Sequence, residues 1–329
     1  MALTVLKFGG SSLAGRERLI HAAETIRERH GRGEDVIAVV SARGDLTDRL
    51  LREARELTET MPLRERDLLI STGEQIAAAE VSAVLNLIGC PATALTGWQA
   101  GIRTDDRFGD ARVLGVAETR LRAELAAGRT AVVTGFQGMT DNGEITTLGR
   151  GGSDTTAVAL AVFLHADECR ILTDVDGVYT ADPRIVPNAR KLNRISCADM
   201  LELARLGARV LHSRSAELAL AHGPTFEIAS SLHGEPGTKI VPEEGNGLSG
   251  VAVMPWDSGS AVSLVGTDCE EAESAFREAL TPFAPHRIVR SERSLTALLA
   301  DPDAQAAACC LHRRFFEKQG FSKKKPLTE

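Results

Sequence analysis

The chain lacks the markers of several common protein classes. Its six cysteines form no CxxC pair, and its eight histidines show neither HExxH nor CxxC…H spacing. A zinc site is therefore not expected, and the thiols read as reduced core residues of a cytoplasmic protein, not a disulfide frame. There is no GxxxxGK[ST] segment, which excludes a Walker P-loop enzyme at the motif level. Nor is there a dinucleotide fingerprint, because Gly149-x-Gly151 is followed by Asp154 where a third glycine is needed. The longest clean apolar run, Ala157 to Leu164, falls far short of the roughly 20 residues that span a bilayer, so no membrane is expected. The N-terminus shows no basic region leading into a long apolar stretch, and no signal peptide is apparent. Positive charge is in deficit: 38 Lys and Arg against 45 Asp and Glu give a net charge of −7. That argues against nucleic acid as a partner but leaves room for a phosphorylated ligand, which needs only a local positive site.

What is present reads as a soluble globular protein, 43% hydrophobic and 25% charged. A length of 329 residues predicts two domains. Strand-like and helix-like segments alternate through residue 230. Strands are predicted at 3–8, 35–40, 131–136, 169–173 and near 225–229. Helices are predicted at about 16–30, 46–58, 64–88, 112–127, 157–165, 197–206 and 213–221, with Gly128 a stop. This βαβ alternation implies an α/β fold, a mainly parallel sheet sandwiched by helices. Turn-rich residues 233–248 read as a linker. Beyond it, 249–316 reads as a small α+β domain of strand, helix, two strands and helix, with Asp301 capping the last helix. Residues 317–329, with Lys323-Lys324-Lys325, read as a flexible basic tail.

Ligands in open α/β folds bind beyond the C-terminal ends of the strands, and the chemistry-bearing segments lie there. Lys7-Phe8-Gly9-Gly10-Ser11 ends the first strand. Its glycines permit close approach of backbone N–H groups to phosphate, a following helix N-terminus adds positive potential, and Lys7 adds a cation. By itself such a turn is equally a tight connection; its place at a strand end favours the anion site. Ser41 to Gly44, with Thr47 and Asp48, offers hydroxyl and N–H donors or an ordinary helix cap. Ser71-Thr72-Gly73-Glu74 interrupts a helical stretch, as a kink or as a new N-terminus with Glu74 near the site. Thr147 to Asp154 has three glycines in four positions around Arg150, which points to anion capture, and Asp154 opens a helix. Asp174 and Asp176 resemble the start of a calcium loop, but the 12-residue spacing fails and no metal ligands are assigned. The only tyrosine, Tyr179, stands before Asp182-Pro183-Arg184 and could flank a nucleotide, with Arg184 reaching its phosphates; a plain Asx-turn is the other reading.

Taken in order, KFGGSS, VSARGDLTD, STGEQ, TGFQG, TTLGRGGSDTTA, LTDVDGVYTADPR and GARVLHSRS resemble the aspartokinases of the amino-acid kinase superfamily over roughly residues 1–240, and more weakly over 248–316. The resemblance implies a catalytic domain at 1–232 and a single C-terminal ACT-like domain. It implies transfer of phosphate from ATP to the side-chain carboxylate of L-aspartate, with Mg²⁺ bridging the ATP phosphates. Lys7, Gly9, Gly10 and Ser11 would hold the transferring phosphate. Ser41, Thr47, Glu74, Arg150 and Ser153 would surround aspartate, with Arg150 on its α-carboxylate. Asp154 would orient Lys7 or the substrate amine, making Lys7 and Asp154 the catalytic pair. Thr173, Asp174, Tyr179, Arg184 and Arg209 would line the ATP site. The other readings are a kinase for a related amino-acid carboxylate and a nucleotide-binding regulatory protein without catalysis.

The departures from the family's pattern carry expectations too. Arg209 and Ser213 replace a usual Lys and Pro, which bears on nucleotide affinity. One of two usual regulatory units looks incomplete. A Pro-Gly effector turn is replaced by Thr267-Asp268-Cys269, which reads as a helix cap. Weak or absent feedback by lysine or threonine is expected, with a homodimer formed through the ACT-like domain.

Overall fold

A computed structural model describes residues 1–208, 210–222, 225–257 and 259–317. The chain forms two compact units, one from Met1–Asp176 with Ala221–Gly237, the other from Gly177–Leu220 with the chain from Thr238 onward.

The first unit is built on a parallel sheet. Its strands run in the order Phe226–Ser230, Glu168–Thr173, Leu3–Phe8, Asp35–Val40, Thr130–Thr134, Ala92–Leu95. Every residue of the central Leu3–Phe8 strand is buried, as expected of a parallel strand covered on both faces. Alternate residues Leu6 and Phe8 pack with Leu19, Ala22 and Ile26 of helix Gly15–Gly31 and with Val81 and Leu85 of helix Thr72–Leu87. Helix Gly152–Phe163 packs on the same strand and on Glu168–Thr173. The register aligns Phe8 with both Val40 and Leu172, and Val40 with Thr134, so the strand ends form one rim.

Several sequence expectations are corrected here. Residues 112–127 are not one helix. Val113–Val116 is a strand paired antiparallel with Ile102–Thr104, and the helix is only Thr119–Ala126. Gly115 is a poor helix former, and the apolar residues around it serve a small four-stranded sheet completed by Gln137–Met139 and Ile145–Thr147. The stretch 64–88 is two helices, Leu63–Ile70 and Thr72–Leu87. At their junction Ser71 Oγ donates to the Leu68 carbonyl and Thr72 Oγ1 to that of Leu69, while Gln137 Nε2 donates to the Ser71 carbonyl. Hydroxyls that satisfy nearby backbone groups compete with a regular helix, which accounts for the break. Together these two helices are long and apolar enough to cross a bilayer, but half of that window is buried inside the unit. Helix Gly152–Phe163 begins five residues ahead of the expected Ala157, so Asp154 lies in its first turn.

In the second unit Arg194–Ser196 pairs in parallel with Thr238–Val241, so the expected linker contains a strand. An antiparallel sheet follows, ordered Leu248–Trp256, Gly259–Gly266, Ser294–Ala300, Arg287–Arg290. Val262, Leu264, Leu295, Ala297 and Leu299 from this sheet form a core with Phe276 and Leu280 of helix Cys269–Leu280 and Leu311 of helix Ala304–His312. The first of these strands is an addition to the expected strand, helix, two strands and helix; Leu248–Trp256 forms because it finds an antiparallel partner in Gly259–Gly266. Two expected caps make no capping bond. Asp301 opens a short 3-10 turn and accepts a hydrogen bond from Ser260 Oγ at 2.7 Å. Asp268 stands at the N-cap of its helix without a side-chain bond to it. Arg313–Glu317 is a further helical turn, and the basic tail beyond it lies outside the described residues.

Candidate functional site

The rim of strand ends gathers a cleft of about 180 Å³ in the first unit, lined by Lys7, Ser41, Thr47, Glu74, Phe136, residues 149–152, Ser153 and Asp154. Lys7 is 7% exposed and points to the face of the sheet opposite Leu6 and Phe8, where Asp154 stands in the first turn of its helix. Lys7 Nζ lies 2.5 Å from Asp154 Oδ1, a contact of opposite charges without the alignment of a hydrogen bond.

The glycine turn differs from its sequence reading in one respect. The long helix begins only at Gly15, after a single 3-10 turn over Ser11–Leu13, so its N-terminus is not at the glycines. The Gly9 amide donates to the Leu172 carbonyl at 3.1 Å, which ties two strands together and removes it as a phosphate donor. The amides of Gly10 and Ser11 make no hydrogen bond among the described residues. Gly10 is required for packing: a Cβ there would lie 2.6 Å from the Ala42 carbonyl oxygen. Gly44 in turn donates its amide to the Gly10 carbonyl, so the loop after Ser41 lies directly on the turn.

Two arms face this floor. On one, Glu74 in the first turn of helix Thr72–Leu87 is 3% exposed. Its Oε1 accepts the Ala42 amide at 3.0 Å, and its Oε2 has no partner among the described residues. Burial pushes this carboxyl up to about 8, and the backbone amides of Ala42 and of Glu74 itself offset that only in part. On the other arm, Arg150 stands between Gly149 and Gly151, both at φ +72°. It is exposed and makes no ion pair among the described residues. Ser153 packs beneath Gly135, where a Cβ would lie 2.6 Å from its Oγ.

Phe136 is a lining residue that the sequence reading did not single out. It adopts φ +70°, unusual for an aromatic residue. Its amide donates to Thr156 Oγ1 and its carbonyl accepts from Leu148. Nothing in the pattern Gly135-Phe136-Gln137 marks this, because the strain is imposed by partners distant in sequence.

Among the proposed nucleotide residues, Thr173 ends its strand beside Ser230, and its Oγ1 donates to Asp174 Oδ1 at 3.1 Å. Ser12 Oγ bonds Ser231 Oγ at 2.7 Å, and the Ser231 amide donates to the Thr173 carbonyl, so the glycine turn and Thr173 share one corner. Tyr179 and Arg184 belong to the second unit. Tyr179 bridges to Lys191, and the exposed Arg184 pairs with Asp182 at 2.7 Å. Arg209 lies outside the described residues. Among the described residues no group of three or more His, Cys, Asp or Glu could hold a metal ion.

Chemically, the cleft offers an exposed guanidinium at its mouth, a buried carboxyl with one orphaned oxygen, and an ammonium on its floor. That set matches a small ligand carrying both carboxylate and amine beside a phosphate.

The profile of the amino acid kinase family matches residues 2–230. An aspartokinase of Bacillus sp. (strain MGA3) is 50% identical over 244 residues, covering 74% of this chain and 59% of that protein. An aspartokinase of Corynebacterium glutamicum is 45% identical over 284 residues, covering 84% of this chain and 68% of that protein. The chain thus spans 59 to 60% of the length of the Bacillus and Geobacillus stearothermophilus aspartokinases. Among solved structures, E. coli aspartokinase III in complex with aspartate and ADP matches with a TM-score of 0.83 at 23% identity, over 95% of this chain and 100% of that one, a likeness of fold. An aspartate kinase from Synechocystis matches with a TM-score of 0.67 at 29% identity, over 100% of this chain and 71% of that one.

Proposed function

The chain belongs to the amino acid kinase family and falls among its aspartokinases, and we propose that it transfers the γ-phosphoryl group of ATP to the side-chain carboxylate of L-aspartate, giving 4-phospho-L-aspartate. The observation that carries this reading is that Arg150 and the orphaned Glu74 Oε2, unpaired with each other, line one cleft with Lys7. Arg150 suits an α-carboxylate and Glu74 an α-ammonium, which leaves the side-chain carboxylate to face Lys7. The nucleophile is already ionised at neutral pH, so no general base is required. The obstacle is bringing an anion up to a polyanion: at ~4 Å two like charges repel by about 4 kcal/mol at an effective dielectric of 20. Lys7 and the Gly10 and Ser11 amides oppose that repulsion, and Asp154 holds the Lys7 ammonium in place. Mg²⁺ arriving with ATP would supply further positive charge there. Among the described residues no group of three or more His, Cys, Asp or Glu is placed to hold that ion, which suits one that arrives with ATP. Thr173 and Asp174, at the end of their strand, line the nucleotide site in this proposal.

Trapping the acyl phosphate with hydroxylamine tests the reading, with aspartate, glutamate and N-acetylglutamate as alternative acceptors. Hydroxamate from aspartate alone is the expected result. A preference for another acceptor would transfer the chain to a different carboxylate kinase, and no hydroxamate from any would make it a non-catalytic nucleotide binder.

Glu74 gives the proposal a pH signature. The folded, ligand-free chain keeps a proton on this carboxyl up to about pH 8, where the unfolded chain has lost it near 4.5. Glu74 therefore stabilises the empty fold least at high pH: its contribution falls as pH rises from about 4.5 through about 8. Aspartate binds best to the ionised form, so its KM is expected to fall as pH rises from 6 to 8. In Glu74→Gln the KM should be higher and flat across that range, while thermal melts at pH 8 show a ligand-free protein at least as stable as the parent. A wild-type KM that does not change over this range would remove Glu74 from the amine site.

The proposal includes a cytoplasmic location, where ATP and reduced thiols coexist, and a homodimer built through the edge strands of the antiparallel sheet. It also includes weak or absent feedback. The Thr267 turn is closed on itself: Thr267 Oγ1 accepts the Gly247 amide at 2.8 Å, and a Cβ at Gly266 would lie 2.3 Å from the Gly247 carbonyl oxygen. Initial rates with lysine or threonine added at millimolar concentration should change less than about twofold; strong inhibition by either would show an effector site that this turn does not provide.

A further inference from the structure

Asp67 lies outside the cleft and was not marked by the sequence, yet it is 0% exposed and fully engaged. Its Oδ2 accepts the Thr147 amide at 2.8 Å and the Gly109 amide at 2.7 Å, and its Oδ1 accepts Thr147 Oγ1 at 2.8 Å. A carboxylate with three converging donors is a stiff joint, because each bond to a charged acceptor contributes more than a neutral one. Its position makes the joint informative. Thr147 leads directly into Leu148-Gly149-Arg150, where the Leu148 amide donates to the Phe136 carbonyl and glycines flank Arg150 on both sides, so the place of Arg150 depends on how the loop is anchored. Asp67 also stands at the end of helix Leu63–Ile70, where its carbonyl accepts the Ser71 amide at 3.0 Å. Ser71 is the hinge from which helix Thr72–Leu87 carries Glu74 into the cleft, and its carbonyl is held by Gln137 Nε2. One residue therefore sits at the root of both arms that face the cleft: its backbone carbonyl holds the Ser71 amide, and its carboxylate ties the helix that leads to Ser71 onto Thr147.

We infer that Asp67 is a positioning residue for the amino-acid substrate: through Thr147 and Ser71 it sets the spacing between the Arg150 guanidinium and the Glu74 carboxyl, and so the fit for an α-amino acid. The inference rests on the aspartate-site reading given above. It separates substrate fit from nucleotide fit, because none of the three donors belongs to the glycine turn or to Thr173.

The test is steady-state kinetics on the full chain with both substrates varied, for Asp67→Asn, Thr147→Val and Arg150→Ala. Asp67→Asn replaces one acceptor with a donor and is expected to raise KM for aspartate about tenfold, with KM for ATP within about twofold of the parent. Thr147→Val keeps shape and removes only the hydroxyl bond, so a smaller shift in the same direction is expected even if the asparagine variant folds poorly. A merely structural role would lower the melting temperature and the active fraction while leaving both KM values alone. That outcome, or an equal change in both KM values, overturns the inference. Arg150→Ala distinguishes the two levels. If it raises the aspartate KM while Asp67→Asn and Thr147→Val do not, the positioning role fails and the site reading stands. If it leaves the aspartate KM unchanged, the site reading itself fails and takes the inference with it.

Discussion

Replacing Lys7 with alanine is expected to reduce aspartate-dependent ADP release by about a thousandfold or more, with the fold retained. The size follows from the position of the ammonium. Lys7 is 7% exposed, sits next to the glycine turn, and is the only cation on the floor of the cleft among the described lining residues. Donors preorganised in such a low-dielectric site are each worth about two to three orders of magnitude in turnover. The loss here should exceed one donor's worth, because Asp154 is left behind. Its carboxylate, 2.5 Å from Nζ in the intact protein, would then face the incoming phosphates with no countercharge. Lys7→Ala, Asp154→Asn and the double variant separate the two effects: the double variant should recover part of the nucleotide affinity lost by Lys7→Ala, but not turnover. Circular dichroism and thermal melts check the fold, and titration calorimetry with ATP reads the binding. A Lys7→Ala enzyme with turnover near the parent's would remove Lys7 from the chemistry.

Replacing Arg150 with alanine is expected to lower kcat/KM for aspartate by about a hundredfold or more and leave thermal stability unchanged. Removing one partner of a charged pair costs about 2–5 kcal/mol where the pair is desolvated, and an α-carboxylate that covers the guanidinium at the cleft mouth approaches that case. Stability is spared because Arg150 is exposed and, before substrate arrives, makes no hydrogen bond or ion pair among the described residues. Arg150→Lys should recover less than about tenfold, since an ammonium cannot reproduce the planar two-bond geometry of the fork. Lysine restoring full activity would show that charge alone is read there. An alanine variant that unfolds would show a structural role instead.

Much of this protein was legible in its sequence. The apolar run Leu3–Phe8 and its glycine turn, the β-branched run Asp35–Val40 and the Gly149–Gly152 segment declare strand ends and loops by residue type alone. The resemblance to the aspartokinases then grouped Lys7, Ser41, Thr47, Glu74, Arg150, Ser153 and Asp154, and the structure places these residues around one cleft. Period and composition failed where partners override them. Val113–Val116 fits a helical pattern and becomes a strand because Ile102–Thr104 is available to pair with it. The Gly9 amide was read as a phosphate donor, yet Leu172, which lies on the neighbouring strand, takes it.

The sequence by itself determined the central strands of the parallel sheet, the glycines that allow close backbone approach, and the types of charged group brought to the rim. Local propensity and periodicity suffice for these, because each depends on a few neighbouring residues. Only the tertiary structure decided the electrical state of the site and the stiffness behind it. Glu74 holds its proton to about pH 8 because packing removes water from it. Lys7 is held because helix Gly152–Phe163 brings Asp154 to it. Asp67 braces Thr147 across 80 residues of chain. Desolvation and long-range hydrogen bonds are properties of the packed fold, so no local pattern in the chain announces them.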